Sequence, residues 1–173
     1  MLRLLAGLPL VALSSFAAPA QATEPQTYQV RWLTRTAQNL GVRVHFEQRQ
    51  VGNCAPVDGG VTFGYYRRYE GSMRPGLLVM CDANHTNMNQ YTEIFRHELW
   101  HAVQHLCTRR QQTLSDNQIR YNLNAQDRAS LRQFYEGSDW RGEAEARAIA
   151  KFSFPVFKSY VRAACGHRTA GHH

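Results

Sequence analysis

The chain has 173 residues and a formal net charge of +7, from 20 Lys and Arg residues against 13 Asp and Glu residues. This length allows one domain with a single hydrophobic core. The arginines are dispersed and no nucleic-acid-binding motif is present, so the basic balance does not predict a nucleic-acid partner. We therefore expect a monomeric single-domain protein with a solvated basic surface.

Residues 1–22 have the organisation of a signal peptide. A short basic start (residues 1–3) precedes an apolar run (residues 4–16) and a small-x-small cleavage pattern at residues 20–22, with a rival pattern two residues earlier. The apolar run is too short for a transmembrane span, and no other stretch predicts one. We expect a secreted or periplasmic mature domain over residues 23–173, without an integral membrane segment.

The first half of the mature chain predicts one helix and three strands. Apolar residues at helical spacing predict a helix over residues 23–40, which Gly41 would end. Alternating, β-branched and aromatic residues predict strands at residues 42–47, 61–69 and 76–81. Gly- and Pro-containing stretches between them predict loops and a chain reversal.

The second half of the chain predicts helices. They cover about residues 88–110, 125–136 and 138–163, and the last should kink or break before Pro155 because proline disrupts a helix interior. The order of elements, one helix and three strands followed by helices, predicts a single compact α+β domain.

The pentapeptide His97-Glu98-Leu99-Trp100-His101 is the most informative segment. Residues four apart share one helix face, about 6 Å apart at Cβ, so His97 and His101 can bind the same metal ion. Glu98 lies beside them, where a carboxylate can accept a proton from metal-activated water. Apolar residues recur every three or four positions around the motif, which places it on an amphipathic helix. Two core histidines held by hydrogen bonds are the structural alternative.

A catalytic zinc site needs a third protein ligand and an open position. His105 lies too far from His97 to share an ion, because eight helical residues rise about 12 Å. Together with a Glu143-Ala144-Glu145 segment on a second helix, the pentapeptide makes residues 91–160 resemble the gluzincins, among the zincin metallopeptidases. The resemblance implies Glu143 as the third ligand, with Glu145 as the fallback. A solvated helix face is the structural alternative for both glutamates.

The resemblance also implies an architecture. It is a reduced zincin-like domain, in which a small, mostly antiparallel sheet packs on the active-site helix and on a C-terminal ligand helix. A sheet edge beside the cleft, at residues 61–69 or 77–81, would bind substrate as an added strand. Many of these families carry an Asp after the second motif that orients a ligand histidine. This chain has Arg147 there, and Asp139 or Asp82 could serve instead.

Four cysteines allow three disulfide pairings. In an exported protein, we expect two disulfides rather than metal ligands or free thiols. We favour Cys54–Cys81, which would join the N-terminal strands, and Cys107–Cys165, which would join the end of the motif helix to the C-terminal helix. The other pairings stay open.

These expectations combine into a function. We expect an exported zinc-dependent metallopeptidase that hydrolyses peptide or protein substrates by metal-activated water, with Glu98 as general base and zinc on His97, His101 and Glu143. A disulfide-stabilised exported binding protein with structural zinc or none is the alternative, and a zinc hydrolase of peptidoglycan peptides would differ only in substrate. The residue that stabilises the oxyanion stays open among Tyr160, Tyr135, His167 and the nearby arginines.

Overall fold

The computed structural model describes residues 24–56, 60–69, 76–109, 111–134 and 138–169, so the predicted signal peptide lies outside it. These residues form a compact α+β domain of six α-helices and a three-stranded sheet, which confirms the predicted fold class. None of the described helices is long and apolar enough to cross a membrane. In chain order the elements are α1 (Glu24–Asn39), β1 (Arg43–Glu47), β2 (Gly64–Arg67), β3 (Leu77–Cys81), α2 (Met88–Leu106), α3 (Asp116–Asn122), α4 (Ala125–Phe134), α5 (Ser138–Ala150) and α6 (Phe154–Thr169).

Helix α1 ends where the sequence predicts. Gly41 has a φ of 76°, in the left-handed region that favours glycine. Its N–H donates to the Gln38 carbonyl at 2.9 Å, and the Val42 N–H donates to the Ala37 carbonyl at 2.9 Å. These bonds close the helix and turn the chain directly into β1.

The sheet has the order β1-β3-β2 and is mixed, where we expected mostly antiparallel pairing. Strand β3 pairs parallel with β1, from Arg43↔Leu77 to Glu47↔Cys81, and antiparallel with β2. Strands β1 and β3 can pair in parallel because the chain crosses over between them. Strand β2 pairs with the edge of β3 that is opposite β1. Both edges of β3 are therefore occupied, so residues 77–81 cannot serve as the substrate-binding edge. Strand β2 lies at the edge of the sheet.

The helical half of the chain differs from prediction in detail. The predicted break before Pro155 is present, because α5 ends at Ala150 and α6 begins at Phe154. Helix α3 was not predicted. It is seven residues long and begins at a capping box, in which the Ser115 side chain accepts from the Gln118 N–H and the Gln118 side chain accepts from the Ser115 N–H.

Helix α2 runs through the hydrophobic core. Its side chains Phe95, Leu99 and Trp100 are fully buried, and the Trp100 ring meets Phe157 of α6 edge to face at 6.3 Å. On the sheet side, a Cβ atom at Gly64 would lie 3.1 Å from Cγ2 of Ile94. Glycine at this position therefore lets β2 approach α2 closely.

Two disulfides are present, in the pairing that we favoured. Cys54–Cys81 joins the loop after β1 to the end of β3, and its Cα atoms are 5.4 Å apart. Cys107–Cys165 joins the end of α2 to α6, and its Cα atoms are 5.0 Å apart. The helix that carries the histidine motif is thus covalently tied to the last helix of the fold.

We predict that replacing Cys107 and Cys165 by Ser destabilises the protein more than replacing Cys54 and Cys81. The sequence separation is 58 residues for Cys107–Cys165 and 27 residues for Cys54–Cys81. A longer closed loop restricts the unfolded chain more, so the losses in unfolding free energy should differ by about 0.7 kcal/mol. Urea unfolding of the two double variants, followed by circular dichroism, measures this difference. A smaller loss for the 107–165 pair would contradict the loop-entropy explanation.

Candidate metal centre

Helix α2 supplies two imidazoles to one point. The Asn87 side chain accepts the Gln90 N–H at 2.9 Å and caps the start of the helix. Ten residues later, His97 and His101 lie one turn apart on the same face. Their Nε2 atoms are 3.1 Å apart, and the ring planes are perpendicular. The two nitrogen atoms therefore converge.

Helix α5 supplies a carboxylate to the same point. Glu143 Oε2 lies 3.1 Å from His101 Nε2, and Glu143 Oε1 lies 3.4 Å from His97 Nε2. One donor atom from each of these three residues lies within 4.8 Å of the others. Glu143 is only 7 % exposed, so it does not lie on a solvated helix face.

The spacing of the three donors fits a small metal ion. Ligand atoms about 2.1 Å from a tetrahedral ion are about 3.4 Å from one another. The two imidazole Nε2 atoms are 3.1 Å apart, and Glu143 meets them with different oxygens, Oε2 at 3.1 Å from His101 and Oε1 at 3.4 Å from His97. Two imidazole nitrogens and one carboxylate are also ligands that transition metals accept. The group could therefore hold a metal ion.

The protonation of the group follows from its contacts. Burial alone would raise the pKa of the Glu143 carboxyl, but hydrogen bonds from His101 and His97 outweigh burial and hold that pKa well below its ordinary value. Burial likewise disfavours charge on His101, yet the Glu143 hydrogen bond and the Glu98 charge raise the His101 pKa. A bound cation would replace the proton on His101 that Glu143 and Glu98 stabilise.

Glutamine 104 contacts the outer nitrogen of one histidine. Its Oε1 lies 3.0 Å from His101 Nδ1. Its Nε2 donates to the Gly142 carbonyl and to Glu145 Oε2, each at 2.9 Å. The side chain thus links the histidine on α2 to two positions on α5.

Glu145, the fallback ligand, lies in the interior and is 3 % exposed. Besides Gln104, its carboxylate accepts the Trp100 indole N–H at 3.3 Å. It also accepts the backbone N–H groups of Thr113 and Leu114, at 2.6 and 2.8 Å. These donors use both carboxylate oxygens, and Glu145 is not a member of the three-residue group.

Arginine 147 contacts the ligand carboxylate. Its Nε donates to Glu143 Oε1 at 2.9 Å, one helical turn along α5. Asp82, one of the residues that we considered for orienting a ligand, instead accepts the Tyr91 hydroxyl at 3.0 Å. The side chain of Asp139 lies outside the described residues. The i,i+3 spacing of Gln104 from His101 and the i,i+4 spacing of Arg147 from Glu143 were visible in the sequence and could have identified both contacts.

The group opens into a cleft of about 730 Å³. His97, Glu98 and Glu143 line it together with the start of α4 and with residues 61–64, which form a wall of the cleft. Glu98 is 8 % exposed, and its Oε1 lies 3.9 Å from His97 Nε2. The cleft therefore brings a carboxylate that is outside the three-residue group next to the place where a metal would bind.

Of the residues considered for oxyanion stabilisation, the structure places one arginine in the cleft lining. Tyr160 lies away from the cleft lining, where its ring stacks on Phe152 at 5.4 Å. Tyr135 and the side chain of His167 are outside the described residues. Of the described arginines, Arg147 lines the cleft. His105 packs its ring against Tyr66 at 5.6 Å and is not part of the three-residue group.

We predict that Glu145→Gln lowers the unfolding free energy by about 2–4 kcal/mol, because an amide NH₂ would face buried donors and leave at least one of them without an acceptor. Glu93→Gln is the matched control. It makes the same charge change at a more exposed carboxylate paired with Lys151 at 3.3 Å, and should cost less than about 1 kcal/mol. Denaturant titration of the metal-free proteins measures both. Equal losses would show that the Glu145 contacts contribute little to stability.

Comparisons with known proteins do not identify a family for this chain. No protein-family model matches the chain, and searches of curated proteins and of solved structures also return no match.

Proposed function

We propose that this protein is an exported zinc-dependent metallopeptidase that hydrolyses peptide bonds, with Glu98 as the general base. One observation carries the proposal. His97 and His101 of α2 converge with Glu143 of α5, and His97, Glu143 and the neighbouring Glu98 line a cleft. Two imidazoles, a ligand carboxylate and a separate carboxylate are the groups that metal-assisted hydrolysis requires.

Zinc is the proposed metal because two histidines and one glutamate are a ligand set that it uses in catalytic sites. When bound, zinc is a Lewis acid that makes water nucleophilic near neutral pH. Structural zinc sites are closed by four protein ligands. Among the described residues the group has three members, which supports a site that keeps a position for water or substrate.

Glu98 is the proposed base because of where it lies. Its carboxylate is 3.9 Å from His97 Nε2 and faces the cleft. From there it can accept a proton from the attacking water and pass it to the nitrogen of the leaving amine. Its exposure of 8 % limits competing hydration of the carboxylate.

The cleft supports an extended peptide as substrate. Its volume lies within the range of about 300–1,000 Å³ that is typical of ligand sites. One wall is the segment that leads into β2, and β2 is at the edge of the sheet. We propose that a substrate strand lies along this wall and pairs with its backbone.

The arrangement supports the gluzincin resemblance, since the third ligand comes from a later helix and is the Glu that the family pattern implies. Arg147 is the departure, because it contacts the ligand carboxylate where those families carry an Asp that orients a histidine. Both disulfides support an oxidising, exported location. We propose that the protein works as a monomer.

We predict that Glu98→Gln retains zinc and lowers peptide hydrolysis by about 10²–10⁴-fold, because the amide cannot accept the proton. Zinc content by atomic emission and turnover of a broad peptide library measure the two effects. The parent enzyme should lose activity with a chelator and regain it with added zinc. Hydrolysis by Glu98→Gln at the parent rate would refute the mechanism, while a zinc-loaded parent that cleaves nothing would favour the exported binding protein.

We also predict that Glu143→Gln weakens zinc binding by more than about 100-fold, because even changes to groups behind a ligand cost about 10- to 100-fold. Glu93→Gln, in the same cleft but outside the three-residue group, should bind zinc like the parent. Competition with a chromophoric chelator gives both affinities. Unchanged affinity in Glu143→Gln would remove this residue from the ligand set.

A further inference from the structure

We infer that Gln104 is a positioning residue that holds His101 in the tautomer with the proton on Nδ1, so that the Nε2 lone pair is directed at the metal. The inference rests on the proposed zinc site and concerns how this chain prepares one of its ligands. Three side chains linked by hydrogen bonds, Glu145, Gln104 and His101, determine this tautomer through their donor and acceptor roles.

Glu145 acts as a hydrogen-bond acceptor. Its four partners in the interior are the Trp100 indole N–H, the Thr113 and Leu114 backbone N–H groups and the Gln104 amide. The first three can only donate hydrogen bonds. Both carboxylate oxygens must therefore act as acceptors, and Glu145 Oε2 presents an acceptor to Gln104.

The contacts of the Gln104 amide fix its orientation. One end of the amide faces Glu145 Oε2 and the Gly142 carbonyl, each at 2.9 Å, and both of these atoms accept hydrogen bonds. Only the NH₂ group can satisfy two acceptors, and its two hydrogens match them in number. A flipped amide would place its oxygen against two other oxygens. The carbonyl oxygen of Gln104 must therefore face His101.

The orientation of the Gln104 amide in turn fixes the tautomer of His101. Because Gln104 Oε1 can only accept, the His101 nitrogen 3.0 Å away must donate, and this nitrogen is Nδ1. In the neutral ring the remaining nitrogen, Nε2, then carries the lone pair. Nε2 is the atom that lies 3.1 Å from both His97 Nε2 and Glu143 Oε2. The buried glutamate thus determines, through one amide, which nitrogen of His101 is available to a metal.

The test uses two substitutions of Gln104. Gln104→Met keeps the length of the side chain and removes the acceptor, and it should weaken zinc binding by about 10- to 100-fold. Gln104→Glu keeps an acceptor for Nδ1–H but sets a carboxylate against Glu145. The Gln104→Glu variant should be less stable than Gln104→Met and yet bind zinc more tightly than Gln104→Met does. A purely structural role would instead make the less stable variant the weaker binder.

Gln118→Met is the matched control, because this glutamine closes the capping box of α3 and lies outside the metal group. Its zinc affinity should equal that of the parent. Nitrogen-15 NMR of the histidine rings provides a readout that does not depend on activity. The zinc-loaded parent should show a protected His101 Nδ1–H, and Gln104→Met should expose this proton to fast exchange.

The possible outcomes separate this inference from the proposed function. If Gln104→Met binds zinc like the parent and keeps a protected Nδ1–H, the positioning role is overturned while the peptidase proposal stands. If the parent binds no zinc, both are overturned. If the parent binds zinc without cleaving any peptide and Gln104→Met binds it more weakly, the positioning role holds and the peptidase proposal falls.

Discussion

The close approach of α5 to α2 is the contact on which the candidate centre depends, because two donors lie on one helix and the third lies on the other. Small side chains on α5 allow this approach, since Ala144 and Ala148 are completely buried against the core. Hydrogen bonds from Gln104 to the Gly142 carbonyl and to Glu145 then align the two helices along their length. A shift of α5 by one residue would rotate Glu143 by about 100° and remove it from the histidines.

Two glutamates of the same helix take different roles because of their spacing. Residues two apart on a helix point about 200° around the axis from each other, so Glu143 and Glu145 cannot present their carboxylates to the same point. Glu143 meets the histidines and Arg147 at the cleft, whereas Glu145 meets only N–H donors in the interior. An unpaired buried carboxylate would be strongly destabilising, and the donors around Glu145 compensate for its burial. Glu143 thus belongs to the candidate metal centre, whereas Glu145 is a buried hydrogen-bond acceptor in the interior.

The cleft wall at residues 61–63 is held by one backbone hydrogen bond, from the Cys81 N–H to the Phe63 carbonyl at 3.0 Å, and by side chains that follow β3. The buried Asn84 donates to the Cys54 and Thr62 carbonyls, each at 2.8 Å, and His85 Nε2 donates to the Phe63 carbonyl at 2.8 Å. The disulfide from Cys54 reaches the end of β3 at the same place. Thr62 and Phe63 lie before β2, and these hydrogen bonds hold their carbonyls in fixed directions. This wall is therefore a defined surface beside the group of donors.

The sequence by itself determined the local features of this protein. Helical spacing placed both histidines and Glu98 on one helix, Gly41 predicted the end of α1, Pro155 predicted the break before α6, and the order of elements predicted the α+β class. Only the tertiary structure decided which strand is central, which glutamate meets the histidines and where the carboxylate of Glu145 points. These features depend on contacts between residues far apart in the chain, such as Gln104 with Glu145 and β1 with β3. Periodicity describes one element at a time, and it carries no information on how two elements are rotated against each other.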